Sequence, residues 1–135
     1  MIKVPESVWF AAAESGDLAT LAASVPPLRH MDVSDADGDT ALIIAAQCNQ
    51  LETVKLLLKR KADPRVQNEL GCTALHAAAR NGHLEVARLF IGNCSVMNAC
   101  DNAGHTALHD SVWNCHDSVA RLLVEAGAST RTTNK

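Results

Sequence analysis

The chain has 135 residues, of which 47% are hydrophobic and 20% charged, and its formal net charge is −3. This balance is typical of one folded domain, and the negative charge argues against binding to nucleic acid or to anionic lipid. Aromatic residues make up only 3% and tyrosine is absent, so the core has to be built from alanine, leucine and valine, which favours closely packed helices over a sheet sandwich or barrel.

The start of the chain and its cysteines indicate a reducing compartment. Pro5 and Glu6 stand where a secretory signal would need an apolar run. No uncharged stretch approaches the length of about 18 apolar residues that a membrane-spanning helix needs. The five cysteines are an odd number, which argues against a secreted disulfide framework. We therefore expect a cytoplasmic or nuclear protein.

A period of 33 residues runs through the sequence. Gly38, Gly71 and Gly104 follow this spacing, and each is followed by a threonine two residues later, then by alanine and leucine. Residues 68–100 and 101–133, aligned without gaps, are identical at eleven positions, whereas chance predicts about two for ordinary composition. The chain is therefore an array of repeats. The eleven shared positions, in the numbers of the first of these segments, are Gly71, Thr73, Ala74, Leu75, His76, Asn81, His83, Val86, Ala87, Arg88 and Leu89.

The first copy, residues 2–34, is the least regular. Counting back 33 residues from Ala45-Ala46 and from Asn49-Gln50-Leu51 leads to Ala12-Ala13 and Gly16-Asp17-Leu18. The same pair of helices is therefore expected here in a degenerate form. Proline cannot continue a helix, so Pro26-Pro27 is expected to end the second helix of this copy.

The other copies cover residues 35–67, 68–100 and 101–133, and the middle one shows the common pattern most clearly. A polar stretch with one glycine predicts a tight turn, and Thr73 predicts the N-cap of a short alanine-rich helix. Asn81-Gly82 ends that helix, and a second helix starts near Leu84 and carries apolar residues as far as Ile91. Two such short helices are not stable alone and have to stack on neighbouring copies.

These residues resemble the ankyrin repeat. The resemblance is carried by Thr73-Ala74-Leu75-His76, Ala78-Ala79, Gly82-His83 and Leu89, with matching segments at 40–43 and 106–109 and a typical final turn at Gly127-Ala128. It covers essentially the whole chain. It implies an all-α solenoid of stacked helix-turn-helix units with β-hairpin-like loops, forming a single domain over residues 1–135.

Several positions depart from the ankyrin pattern. Asn49 and Cys115 replace the glycine between the two helices, and Lys61 and Cys94 replace the glycine expected after the second helix. A residue with a side chain costs roughly 1 kcal/mol at positive φ. The fourth repeat is therefore expected either to be less stable around Cys115 or to have a differently shaped turn there. Alanine also stands where the family usually has proline after the capping threonine.

Two clusters suggest metal binding, and we expect neither to be a metal site. The pairs Cys72/His76, His105/His109 and Cys115/His116 lack the C-x-x-C spacing of zinc sites; the repeated histidines, His76, His83, His109 and His116, are expected to bond to neighbouring loop backbone. The aspartates around Gly38 lack the acids that an EF-hand has at its first and twelfth positions. They are instead expected to form an exposed negative patch on the hairpin side. The alternative to a merely solvated patch is that it binds a basic partner. These aspartates are Asp32, Asp35, Asp37 and Asp39.

A basic cluster and the remaining polar motifs give no sign of catalysis. We expect this basic cluster to form a solvated helix face, because cations near the C-terminus of a helix are favoured by its dipole. The alternative is that the cluster docks to an acidic protein or a phosphate-rich surface. Ser111 occupies the small-residue position of Ala45 and Ala78, where bulk would block stacking, and no phosphate-binding glycine loop is present. We therefore expect no catalytic residue, cofactor or metal. The basic cluster consists of Lys55, Lys59, Arg60, Lys61 and Arg65.

The resemblance also implies where a partner binds. In the family, the hairpin tips and the exposed ends of the first helices line a concave face. Trp113 is the most informative residue there, because its position holds Glu14, Gln47 and Arg80 in the other copies, and tryptophan is enriched at interaction hot spots. It is expected to form an apolar patch with Leu70, or alternatively to cover the turn at Cys115. The predicted binding residues are Asp37, Asp39, Leu70, Cys72 and His105 on the tips, and Glu14, Gln47, Arg80, Asn81, Trp113 and Asn114 on the helices.

The last copy carries polar residues where the preceding one is mostly apolar. Asp110, Asp117 and Ser118 replace Ala77, Leu84 and Glu85, as expected for a final repeat whose outer side faces water. The predicted function is therefore protein recognition, as a scaffold, adaptor or inhibitor. Homo-oligomerisation through the Leu70/Trp113 patch is possible but not indicated. Two alternatives stay open: a regulatory domain of a larger enzyme or channel, and a metal or redox sensor that uses the cysteines and histidines.

Overall fold

The computed structural model describes residues 2–3, 5–25, 34–91 and 94–127. Helix pairs recur along these ranges, and the starts of α3, α5 and α8 lie 33 residues apart, as do those of α4, α6 and α9. The predicted all-α repeat architecture is confirmed. The helices are α1 Glu6–Ser15, α2 Leu18–Ala23, α3 Ala41–Gln47, α4 Leu51–Lys59, α5 Ala74–Asn81, α6 Leu84–Arg88, α7 Cys94–Met97, α8 Ala107–Trp113 and α9 Asp117–Glu125.

Two short extended segments accompany the first helix pair. Strand β1 (Ile2–Lys3) pairs in parallel with β2 (Ser24–Val25), so that Ile2 lies opposite Ser24. Among the residues that the structure describes, one isolated antiparallel bridge occurs, between Ser34 and Thr40 at the first hairpin. The predicted end of the first repeat at Pro26-Pro27 lies outside the described residues.

The first helix of each later repeat begins at the predicted threonine. The hydroxyl oxygens of Thr40, Thr73 and Thr106 accept hydrogen bonds from the backbone N–H three residues on, at 3.3–3.4 Å. In the third and fourth repeats the bond is reciprocal, because the Nδ1 of His76 and His109 accepts from the threonine N–H at 3.1 and 3.0 Å. These caps satisfy donors that would otherwise be left unpaired at the helix start.

The turn between the two helices of each repeat uses one residue in the left-handed region. Gly16 and Gly82 have φ of 79° and 73°, and Asn49 and Cys115 take the equivalent place with φ of 59° and 61°. The predicted positive φ at Cys115 is confirmed. Lys61, after α4, also has positive φ, at 74°.

The third repeat differs from the expected pattern after its second helix. Helix α6 ends at Arg88 instead of continuing to Ile91, because Leu89 and Phe90 bond to carbonyls three residues back, as in a tighter turn. Cys94 then begins α7 and does not occupy a glycine-like turn. Cys94 therefore does not share the positive φ of Lys61, the residue at the equivalent position of the second repeat.

Replacing Cys115 with glycine is expected to stabilise the protein by about 0.5–1 kcal/mol, because the relief of left-handed strain exceeds the entropy that glycine loses on folding. Asn49→Gly is the matched comparison, and it is expected to gain less because asparagine tolerates this conformation. Thermal unfolding followed by circular dichroism measures both changes. Equal gains, or a loss at Cys115, would contradict the prediction.

Two layers of helices form the stack. In the inner layer α3 packs between α1 and α5, and α5 packs against α8; in the outer layer α4 contacts α2 and α6, and α6 contacts α9. The inner contacts are close because small residues occupy them, and Ala45, Ala78 and Ser111 are completely buried. The Ser111 hydroxyl donates to the Leu108 carbonyl at 2.8 Å, so it adds no unpaired group.

The hairpins between repeats are built alike. One side-chain oxygen of Asp35, Asn68 or Asp101 accepts two backbone N–H groups, two and four residues on, at 2.9–3.0 Å. An aspartate or asparagine at the same place in each repeat therefore stabilises the turn through the same pair of hydrogen bonds.

Main-chain hydrogen bonds join neighbouring hairpins to each other. The Glu69 N–H donates to the Asp37 carbonyl at 3.3 Å, and the Asn102 N–H donates to the Leu70 carbonyl at 2.9 Å. Glycine is required where the turns approach, because a Cβ at Gly71 would lie 2.7 Å from the Asn102 nitrogen. We call this set of bonds the hairpin ladder. It sets the spacing of the tips.

None of the helices in the described ranges is long and apolar enough to cross a membrane.

Candidate functional site

A groove of about 430 Å³ lies between the hairpins and the inner helices of repeats two and three. We call it the central groove. It brings together seven of the eleven predicted binding residues, and it adds four that the sequence did not single out. The seven are Asp37, Asp39, Gln47, Leu70, Cys72, Arg80 and Asn81, and the four are Ile43, Asn68, Glu69 and Ala77.

A second groove, of about 410 Å³, lies next to it between repeats one and two. We call it the first groove. Asp39 and Gln47 line both cavities, and Glu14, another predicted residue, lines the first groove together with Asp35. The two grooves therefore form one continuous side of the stack, built from hairpins and inner helices.

Carboxylates dominate the hairpin side of these grooves. Asp37 and Glu69 are exposed, and Asp39 is half-buried and accepts a hydrogen bond from the Asn68 amide at 2.9 Å. Partial burial raises the pKa of Asp39 above its ordinary value, and the neighbouring charges of Asp35 and Asp37 raise it further. A cation placed here would relieve this repulsion.

Arg80 stands on the opposite wall and is held from behind. Its Nη2 atom lies 3.3 Å from Asp110 Oδ2 and 3.3 Å from Cys72 Sγ. The side chain of Arg80 is 42% exposed, whereas that of Asp110 is 7% exposed. The ion pair therefore joins the groove to the interface between repeats three and four.

The position of Asp110 corrects one expectation. Asp117 and Ser118 are exposed, as predicted for a final repeat, but Asp110 is buried and faces Arg80 instead of water. Burial raises the pKa of Asp110, while the nearby positive charge of Arg80 opposes this rise. A buried acid can be tolerated only when such a partner is present.

Cys72 also differs from its predicted place. It was expected at an exposed hairpin tip, but it is only 3% exposed and lies beneath Arg80. Burial raises the pKa of its thiol, which reduces the thiolate available for reaction. Cys72 forms part of the groove floor and supports Arg80.

His76 bonds to the backbone of a neighbouring loop, as predicted, whereas His83 bonds to the end of helix α3. For His109 and His116 a bond to a neighbouring loop stays a prediction. His76 is completely buried, and its Nε2 lies 2.9 Å from the His105 carbonyl while Nδ1 accepts from Thr73. This arrangement places the single proton on Nε2, and burial lowers the pKa of His76. The Nε2 of His83 lies 2.9 Å from the Gln47 carbonyl. These bonds tie adjacent repeats together.

Two groups of potential metal ligands occur in the described ranges. His76, Asp101 and Asp110 have ligand atoms within 4.8 Å of one another. His76 and Asp101 are engaged with hairpin backbone, and Asp110 with Arg80, so the guanidinium already supplies the positive charge there. The second group, Asp35, Asp37 and Asp39, surrounds the first hairpin turn; Asp32, predicted with it, lies outside the described residues.

The comparison with known families decides the identity of this stack. A family model described as ankyrin repeats (3 copies) matches residues 5–68 and 60–134. The chain belongs to the ankyrin-repeat family. A search of curated proteins finds no match to it. Ankyrin repeats are generic protein-interaction modules and are typically non-catalytic.

Trp113 lies beyond the central groove of this ankyrin stack. It is 57% exposed, and its ring meets that of His105 edge-on at 4.3 Å between centroids and lies 5.5 Å from that of His109. Leu70, 65% exposed, instead lines the central groove. His105, Trp113 and Asn114 therefore form a separate surface on the last ankyrin repeat.

Three residues of the basic cluster on and after α4 have partners within the protein. Lys55 pairs with Glu52 at 3.4 Å, and Arg65 pairs with Asp63 at 3.1 Å. Arg60 donates to the Leu21 carbonyl of the first repeat. These contacts agree with a solvated face of the ankyrin stack, whose exposed ion pairs contribute little to stability.

Proposed function

We propose that this ankyrin-repeat chain is a protein-recognition module that binds its partner along the central and first grooves. One observation carries the proposal: the hairpin ladder fixes the tips, and predicted binding residues from separate repeats line one continuous side. A surface held in place before binding loses little conformational entropy when a partner docks. A scaffold, an adaptor, an inhibitor and a regulatory domain of a longer protein would all use this surface in the same way.

The thiols support a reducing compartment, and we propose a cytoplasmic or nuclear location. Cys48, Cys72, Cys100 and Cys115 are free in the described ranges. Burial raises the pKa of Cys48, as it does that of Cys72. Neither thiol therefore has the lowered pKa of a redox sensor.

Site-specific photo-crosslinking tests the proposed surface. A benzoylphenylalanine residue replaces Gln47, which lines both grooves, or Arg121, an exposed residue of the outer helix α9, as the matched control. After irradiation in cell lysate, we expect discrete covalent adducts with other proteins from position 47 and few from position 121. Circular dichroism verifies that both variants are folded. Equal adduct yields, or adducts from position 121 alone, would rule out the groove as the binding surface.

A further inference from the structure

The charge of the central groove depends on a residue outside it. Among the described residues that line this groove, Asp37, Asp39 and Glu69 are acidic and Arg80 is the only cation. Asp110 does not line the groove, but its nearly inaccessible carboxylate holds the guanidinium of Arg80 from behind. Because a buried carboxylate loses its hydration, it binds its counter-ion more firmly than an exposed one. The positive charge of Arg80 is therefore largely neutralised within the fold.

The adjoining surface has the same sign. The first groove continues the acidic wall with Glu14 and Asp35. The cations of the neighbouring repeat lie elsewhere, on α4 and the segment after it, where Lys55 and Arg65 pair with their own neighbours. A ligand that entered from the hairpin side would thus meet carboxylates first.

An apolar residue lies beside these carboxylates. Leu70 is 65% exposed at the rim of the central groove, and Ala77 forms part of the opposite wall. A lysine or arginine side chain matches this combination, because its aliphatic stem packs on apolar surface while its charged end stays near acids.

Resting on the proposed function, we infer that the central groove accepts a segment of a protein partner that carries lysine or arginine, and that Asp110 sets this preference by neutralising Arg80. Asp110 is thus a specificity-determining residue that need not touch the partner. Repeat three has alanine at the equivalent position, Ala77, so the acid is not required by the ankyrin stack itself.

Fluorescence anisotropy with two labelled peptides tests the inference, one of alternating lysine and serine and one of alternating glutamate and serine. The intact chain is expected to bind the lysine peptide more tightly, with an affinity that falls as salt is added. The double variant Asp37→Asn, Asp39→Asn should bind it about fivefold more weakly, as expected for the loss of two surface ion pairs. The double variant Glu85→Gln, Glu125→Gln removes equal charge from exposed sites on outer helices and should change the affinity little.

The role of Asp110 is tested separately with Asp110→Asn, which keeps the side-chain size and frees Arg80. This variant should bind the lysine peptide about threefold more weakly and the glutamate peptide correspondingly more tightly. Circular dichroism and thermal unfolding verify that it is folded. An unchanged ratio of the two affinities would overturn the assignment of Asp110, even if the groove variant behaves as expected.

Other outcomes would reject the basic segment itself. Equal loss of lysine-peptide binding in the groove and control variants would mean that binding follows net charge alone. Self-association in sedimentation experiments that Lys55→Ala, Lys59→Ala abolishes would identify a second copy of this chain as the occupant. Crosslinking of a protein at position 47 without binding of the lysine peptide would leave the proposed function intact and overturn only the partner's charge.

Discussion

Replacing Gly71 with alanine is expected to destabilise the protein by about 2–5 kcal/mol. Gly71 has a φ of 82°, which costs a residue with a side chain about 1–2 kcal/mol. The new Cβ would also lie 2.7 Å from the Asn102 backbone nitrogen, and overpacking against a fixed group adds about 1–3 kcal/mol. The neighbour cannot turn aside, because its N–H is bonded to the Leu70 carbonyl in the hairpin ladder.

Gly127→Ala is the matched control. Its φ is 96°, but a Cβ there would meet nothing within 4 Å among the residues that the structure describes. This variant should lose only the conformational part, about 1–2 kcal/mol. Urea unfolding followed by circular dichroism gives both values. If both substitutions lower the unfolding free energy equally, the close approach of the hairpins does not restrict the side chain at residue 71. The hairpin ladder would then contribute less to stability than its geometry implies.

Replacing Arg80 with alanine is expected to lower the free energy of unfolding by about 2 kcal/mol, although the Arg80 side chain is 42% exposed. The loss arises at Asp110, whose carboxylate would stay buried without its hydrogen-bonded counter-ion. Adding Asp110→Ala to Arg80→Ala should recover most of the loss, because it restores the residue type that repeat three carries at Ala77. Unfolding free energies of the two single variants and the double variant measure this coupling.

The pH dependence of these variants has a definite sign. Burial raises the pKa of Asp110 above its ordinary value of 3.8, and loss of Arg80 removes the main effect that opposes this rise. A raised acid pKa means that the folded state holds the proton more tightly, so stability falls as pH increases from about 4 through the folded-state pKa.

Arg80→Ala should therefore be least stable near neutrality and recover in mild acid, whereas the double variant should not recover. His76 acts in the opposite direction, since burial lowers its pKa and stability is lost as pH falls below about 6.5. Both variants retain His76, so the difference between their unfolding curves isolates Asp110. A pH-independent difference would show that Asp110 is not the source of the loss.

The features that the sequence predicted well are local. A threonine that caps a helix bonds only three residues away, and a left-handed turn depends mainly on the residue that occupies it. Thr73, Gly82 and Cys115 could therefore be assigned from the repeat pattern. Since the repeats stack in register, most of the predicted binding residues also came together in one groove.

The features that the sequence could not predict depend on contacts between repeats. Asp110 was expected to face water because it replaces Ala77 in the last repeat. Its actual partner, Arg80, lies 30 residues away in the preceding repeat. Cys72 looked like a tip residue, and only the position of the Arg80 guanidinium above it shows why its thiol is covered. The early end of α6 reflects a local change of hydrogen-bonding pattern that its apolar spacing did not reveal.

Because the hairpin ladder holds the backbone of the tips in place, this protein is suited to the selection of variants that bind new targets. Its bonds at Asp37, Glu69 and Leu70 use main-chain atoms, which almost any replacement residue retains. A combinatorial library that varies these tip positions would change the chemistry shown to a target while the spacing of the turns stays the same. Proline at residue 69 or 102 has to be left out, because it lacks the N–H that the ladder needs.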